Sequence, residues 1–582
     1  MMLRFIVMLC LLLWPLLGLQ PACARDTGVE RHVRHFVVKP SGAYLLTVEQ
    51  IRTVVQRDAL HDHARYEIGY NQALDDIIAV EAHTEKADGR LLAVQPHQIR
   101  DQQQAASINA PMFQNTRLKI VEFPDADAGD RVAVRYVVRR HTPLFPGHFE
   151  DLSSARLQRQ CDFRVVYDMP VAMLLHADAI GFLPTTITDL PPPAAGKRRY
   201  AWCYLDGDNA RPEAGSVSEL DYGKRLAVST FADYAALARA YQNHVGARAV
   251  PDDTVAALAA RVTGNVVEPR ARAIALSDWV RHNVRYVAGY LGPGGVVPHA
   301  AASVLANRYG DAKDHTTLLV ALLASAGIDS TVALVNNGNA YQLPAVPTLG
   351  VLNHAIVYVP ALQLYFDPTA KNVAGGFLPA ALLGKPAVLT RSGEFAMLPF
   401  FQQAHSRTLT QFTIQPDGSS RLRVTRTGSG ALAEQYRRVP GGNVARSLRG
   451  ASNGFTQLPD PARLATTYDL KGSLGDAVLT FAQEPERHQD FVCPAIDAED
   501  ELRFHLPTRS RVLTLPRPVH VDDANFAYHS RYARRGALVT VQRQLKFRHT
   551  AATCTPDDYR RMRPALERML RDLRSQVVFK RG

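Results

Sequence analysis

The chain has 582 residues, 46% of them hydrophobic, and a net charge of +12, which is enough for about three domains with a core each. Apart from one concentration near the C-terminus its arginines are scattered, with no basic stripe interleaved with aromatics, and this argues against a nucleic-acid partner. Anionic lipid headgroups or cell-envelope polysaccharide suit such a charge better, although solubility alone accounts for it equally well.

Arg4 precedes an apolar run from Phe5 to Leu19, and Ala22-Cys23-Ala24 supplies small residues for cleavage. That is the pattern of a secretory signal, so residues 1–24 read as a signal peptide and the mature protein is expected in the periplasm or outside the cell. Gln20 stands where a lipoprotein signal takes an aliphatic residue, against lipidation at Cys23. Nothing later is long and apolar enough to span a bilayer. In an oxidising compartment Cys161, Cys203, Cys493 and Cys554 read most simply as two intradomain disulfides, one early and one late in the chain. Other pairings, and four free thiols, stay open.

Residues 25–225 predict an N-terminal, mainly antiparallel β domain. Strand-like runs at His35 to Val38, Leu45 to Ile51, Val132 to Val138, Phe163 to Tyr167 and Arg199 to Tyr204 are separated by turns. Pro191-Pro192-Pro193 marks an irregular connection. His61 and His63 share one face of a strand but have no further ligand nearby, so they read as surface histidines rather than as a metal site.

Residues 226–400 change to helical texture. Thr230 with Asp233 reads as a capping pair for a helix over Phe231 to Asn243, followed by helices at Asp252 to Val262 and Glu268 to Val284, the last with Trp279 on its core side. Gly292-Pro293-Gly294-Gly295 is a turn without the strand and helix that a phosphate-cradling loop requires. From Asp311 a helix apolar almost all round runs to Gly327 and must be buried, so its first turn opens on a central helix with unpaired N–H groups. A cysteine there would be an activated thiolate. His354 begins the next strand and Asp367 ends the one after, with Pro360-Ala361 as the connection. An antiparallel hairpin makes these two neighbours, as a base and its orienting carboxylate must be.

Residues 401–582 predict a second β domain. Strands are expected at Leu409 to Ile414, Arg421 to Thr425, Asp476 to Phe481 and Ala537 to Leu545, with turns of the Pro416-Asp417-Gly418 type. Thr555 caps a closing helix with Pro556 at its first position and an apolar stripe of Tyr559, Met562, Leu566, Met569 and Leu573. Docking on its own domain is the expectation, with a membrane-surface helix as the alternative.

The fold class is therefore α+β. Val284-Arg-Tyr-Val287, Arg308-Tyr-Gly-Asp311, Lys313-Asp-His315, Gly327-Ile-Asp329, Asn353-His354 and Phe366-Asp367-Pro368 together resemble the transglutaminase-like, papain-like cysteine-hydrolase superfamily. The resemblance is closest to exported bacterial proteins with such a core between two β domains. It implies a cysteine nucleophile at position 312, a base at His354 and an orienting carboxylate at Asp367. The chain keeps the last two and has Ala312 in place of the first. An alanine methyl cannot be acylated. The resemblance thus implies a non-catalytic protein that binds or scaffolds a peptide, protein or glycan of the cell envelope. The alternative is an amide hydrolase or acyltransferase with a substitute nucleophile such as Thr316 or Thr317. No cofactor or metal is implied: some animal relatives use calcium, but there is no clustered acidic loop here to hold it.

Overall fold

The computed structural model describes residues 29–580 except 55–63, 106–107, 156–159, 205–211, 288–294, 416–419, 438–442, 449–454, 458–462, 467–473, 475–477, 479–481 and 483. The signal segment, His61 and His63, Gly292 to Gly294 and the Pro416-Asp417-Gly418 turn lie outside the described residues.

The N-terminal domain is built on an eight-stranded sheet. At its centre are β1 (Val29–Val38), β2 (Tyr44–Thr53), β3 (Arg131–Arg140), β4 (Gln160–Pro170) and β5 (Lys197–Tyr204), ordered β5-β4-β1-β2-β3. Leu183–Pro184 flanks β5, and Asp75–Glu85 and Leu91–Ala93 lie outside β3. β1 and β4 pair in parallel, an exception within an otherwise antiparallel sheet. Strand periodicity sends Phe36 and Val38 of β1 and Phe163, Val165 and Tyr167 of β4 into one core. The strand Arg225–Ser229 pairs with Glu150–Ser154 and His176–Ile180, so this domain's strands continue past the boundary expected at residue 225.

The first expected disulfide does not form: Cys203 is a free cysteine. Register is the reason. Cys203 stands opposite Arg164, three residues along β4 from Cys161, or roughly 10 Å at strand rise. Disulfide Cα atoms stand closer than about 7 Å.

The central domain opens with helices α1 (Tyr234–Val245), α2 (Asp253–Thr263), α3 (Pro269–Asn283), α4 (Ala301–Asn307) and α5 (Ala312–Ser325). Asp233 alone caps α1, accepting from Ala236 N at 2.7 Å. Thr230 is not its partner in a capping pair: its hydroxyl accepts from Phe149 N across the domain junction. Trp279 packs at the edge of the helical core, with the Arg308 guanidinium 4.6 Å from its ring centre. Behind the helices lies an antiparallel sheet of β6 (Thr331–Val335), β7 (His354–Val359), β8 (Leu364–Phe366), β9 (Pro386–Leu389) and β10 (Phe395–Met397), ordered β8-β7-β6-β9-β10. Leu318, Leu319, Leu322 and Leu323 are fully buried, which fixes α5 as the central helix packed against β7. Gly327 ends it at φ +73°, the left-handed conformation that follows a helix.

The C-terminal domain repeats the mixed pattern. β11 (Ala404–Ile414), β12 (Ser420–Gly430), β13 (Asp497–His505), β14 (Phe526–Arg535) and β15 (Leu538–Phe547) form the body of a seven-stranded sheet in which β11 and β13 run parallel. The strand expected at Asp476 to Phe481 lies outside the described residues except for Val478, which is helical. Helix α6 (Pro556–Leu573) is capped by Thr555. Its stripe of Tyr559, Met562, Leu566, Met569 and Leu573 is buried among Phe526, Tyr528 and Leu545, so it is a core face and is not presented to a membrane surface. Cys493 and Cys554 form the second expected disulfide. Among the described residues no helix is long and apolar enough to cross a membrane.

Candidate active site

Ala312 is the first residue of α5 and is buried. The turn it opens is built from paired charges. Asp311 Oδ1 accepts from Asp314 N at 3.1 Å, and Asp314 Oδ2 accepts from Asp311 N at 3.2 Å, closing a capping box. Lys313 pairs with Asp311 in the interior, and His299 N donates to Asp314 Oδ1 at 2.8 Å. Gly310 is required by proximity, because a Cβ there would stand 2.5 Å from Asp314 Cβ.

The second part of the site is the β7–β8 hairpin, whose first strand packs against α5. His354 Nε2 lies 3.1 Å from Asp367 Oδ2, and both side chains are buried. Thr369 donates to Asp367 Oδ1 through N at 2.9 Å and through Oγ1 at 2.6 Å. The expected base and carboxylate therefore meet, and the carboxylate is positioned by a second residue. His354 Nδ1 has no hydrogen-bond partner among the described residues, the condition for a ring nitrogen that would exchange a proton with a nucleophile.

The two parts differ electrostatically. Burial alone would raise Asp367, but His354 and Thr369 outweigh it and hold the carboxyl below the usual range. Burial likewise opposes ionisation of Asp314, and His299 and Lys313 more than compensate. Asp311, with less help, is pushed up to about 6 by burial. Burial lowers His315, which favours its neutral ring; Nδ1 lies 2.8 Å from Asp311 O. Position 312 thus sits at a helix N-terminus and carries a methyl group, and the His354 imidazole of the hairpin is held by an ionised carboxylate. The candidate substitutes are engaged elsewhere: Thr316 and Thr317 hydroxyls donate to Lys313 O at 2.8 and 2.7 Å.

Sequence reasoning noted Tyr286 only as part of a motif. Its hydroxyl is pushed up to about 12, by burial first and then by Asp311 and Asp367, so it stands within electrostatic reach of both parts. Its ring meets His315 edge-on at 5.9 Å. A second contribution comes from the N-terminal domain. Met112 N donates to Tyr309 Oη at 3.0 Å, Arg285 Nη2 donates to Asn109 O at 2.8 Å, and buried Phe113 packs edge-on to His299 at 5.3 Å with Lys313 Nζ 6.0 Å from its ring centre. The segment 109–113 therefore walls the first turn of α5. Its sequence signal is Asn109-Ala110-Pro111, which identifies a turn and not its destination.

Comparison with known families gives three matches in order: residues 40–202 with the domain of unknown function DUF3857, residues 256–360 with the transglutaminase-like superfamily, and residues 475–579 with the domain of unknown function DUF3858. Among solved structures, a protein from Parabacteroides distasonis named as a candidate protease is 14% identical and superposes at a TM-score of 0.71, over 95% of this chain and 99% of that one. The three-domain fold is therefore shared along the whole length. A second, from Cytophaga hutchinsonii and named as a candidate cysteine protease, is 10% identical and covers 57% of this chain and 78% of that one, but its TM-score of 0.17 adds nothing on the fold. Comparison with curated proteins gives no match.

Proposed function

Because the chain carries a transglutaminase-like core between two domains of unknown function, we propose that it is a non-catalytic member of that superfamily, an exported protein whose cleft holds a peptide, protein segment or glycan of the cell envelope. Two observations support this reading: Ala312 at the first position of α5, and a complete His354–Asp367 pair. Loss of a covalent nucleophile removes many orders of magnitude in rate, while the surrounding cleft keeps its shape and charge. The β domains supply sheet edges and loops for contact with an extended ligand. Export is supported by the apolar N-terminal run with its small-residue site and by the Cys493–Cys554 disulfide.

The rival reading, an amide hydrolase or acyltransferase with another nucleophile, has no free hydroxyl at Thr316 or Thr317 to draw on. The test compares cleavage of casein by the unchanged chain, by Ala312→Cys and by His354→Ala. The proposal expects no turnover by the unchanged chain. Turnover by that chain, abolished in His354→Ala, would establish the enzyme instead.

A further inference from the structure

One end of the central sheet leaves its hydrophobic side chains outside. β10 (Phe395–Met397) is the last strand of that sheet, and Phe395, Met397, Phe400 and Phe401 are 61%, 66%, 52% and 66% exposed. The segment from Phe395 to Phe401 contains no charged residue. Single exposed apolar residues are ordinary, whereas four large ones in so short a stretch mark a contact surface. An edge strand is usually blunted by a charge pointing from it, and β10 carries none.

The backbone along the same edge is also unpaired. Leu389 N donates to Glu394 O, Ala387 stands opposite Ala396, and Leu398 N donates to Lys385 O. An antiparallel ladder bonds alternate residues, so Glu394, Ala396 and Leu398 turn their peptide groups toward β9, while Phe395 and Met397 turn theirs outward. No described residue bonds the outward groups. Pro399 stops the strand, which leaves one short set of donors and acceptors and not an open-ended ladder.

From the outward backbone groups of Phe395 and Met397 and the uncharged apolar patch they belong to, we infer that β10 pairs with β10 of a second copy of this chain, antiparallel and across a two-fold axis at Ala396. Phe395 of each copy then stands opposite Met397 of the other, and every outward N–H meets an outward C=O. A patch without charge matches itself, as an isologous contact requires, and has nothing with which to select a charged partner. With about 200 Å² for each aromatic side chain, the exposed fractions amount to roughly 500 Å² of apolar surface per copy. Pairing therefore buries about 1,000 Å² in total, the lower limit for a specific interface, which makes the dimer dependent on concentration. The contact is separate from the α5 cleft and does not depend on what that cleft holds.

Sedimentation of the full chain between about 1 and 200 μM tests this, the range suited to an interface of that size. The mass should double across the range. Phe395→Glu and Met397→Lys should each raise the midpoint concentration by about tenfold or more. An equimolar mixture of the two variants should regain the dimer, because the introduced charges face one another across the axis. Met397→Lys alone decides if Phe395→Glu, whose ring position lies beside Tyr234, disturbs folding. A chain that stays monomeric throughout, or a dimer that ignores Met397→Lys, would overturn the inference, and a mixture that does not recover would overturn the two-fold pairing. A monomer that binds the extended peptide N-acetyl-Val-Thr-Val-Thr-Val-amide, and loses it in Met397→Lys, would assign the edge to a peptide strand in place of a second copy.

Discussion

His354 and Asp367 meet at 3.1 Å through Nε2 and Oδ2, and the backbone dictates the meeting. Val357 stands opposite Phe366 across the hairpin, so continuing that register places His354 opposite Thr369 and diagonal to Asp367. Diagonal partners on one face of an antiparallel pair lie within reach of an imidazole. Asp367→Ala leaves a buried imidazole and two Thr369 donors without their acceptor. A stability loss of about 2 kcal/mol is expected, the scale of hydrogen bonds to a charged group, read from urea denaturation. An unchanged midpoint would show that the pair does not stabilise the hairpin.

Phe113 carries the contact between the N-terminal domain and the first turn of α5. Truncating a buried phenylalanine typically destabilises by about 3 kcal/mol, and Phe113→Ala should do so while increasing the access of small reagents to position 312. The second effect is measured as the alkylation rate of Ala312→Cys with and without Phe113→Ala. A rate that does not rise would mean the segment only buttresses Tyr309 and His299.

Glu150 lies at the same domain junction, its carboxylate accepting from the Thr348 hydroxyl. Burial pushes it up to about 7, above the usual carboxylate value of about 4.3. The sign follows: the folded state holds this proton more tightly, so the associated stability is complete below about pH 4 and is lost as pH rises through about 7. Glu150→Gln cannot lose a proton. Its melting temperature relative to the unchanged protein should therefore climb between pH 5 and pH 8, and a constant difference over that interval would contradict the assignment.

The Cys493–Cys554 disulfide closes a loop with a sequence separation of 61 residues. Restricting the unfolded chain over such a loop is worth about 4 kcal/mol. Replacing both cysteines with serine should lower stability by that order, whereas Cys203→Ser should leave it nearly unchanged. Peptide mapping that found Cys203 in a disulfide with Cys161 would refute the register between β4 and β5.

What the sequence made legible was local. The boundaries of α5 follow from Asp311 as cap and Gly327 as stop, and those of α6 from Thr555 and Pro556; the His354–Asp367 hairpin is a short-range pairing set by Pro360. Features that depend on distant partners were not legible. The parallel pairing of β1 with β4 is specified by no local pattern, and it fixes the register that keeps Cys203 from Cys161. Thr230 and Asp233 have capping spacing, but the acceptor of Thr230 is claimed by Phe149 from another domain. Phe113 and Tyr286 gained their places at the cleft through tertiary packing, which single-sequence periodicity does not carry.

The central claim is that a complete base and carboxylate still face the position occupied by Ala312. Its most direct measurement is the pH dependence of alkylation of Ala312→Cys, with the unchanged protein as background. A thiol titrating well below the ordinary value of about 8.5, and returning toward it in Ala312→Cys with His354→Ala, is the predicted result. A thiol with an ordinary pKa that ignores His354 would show that the imidazole does not address position 312, and would contradict the account.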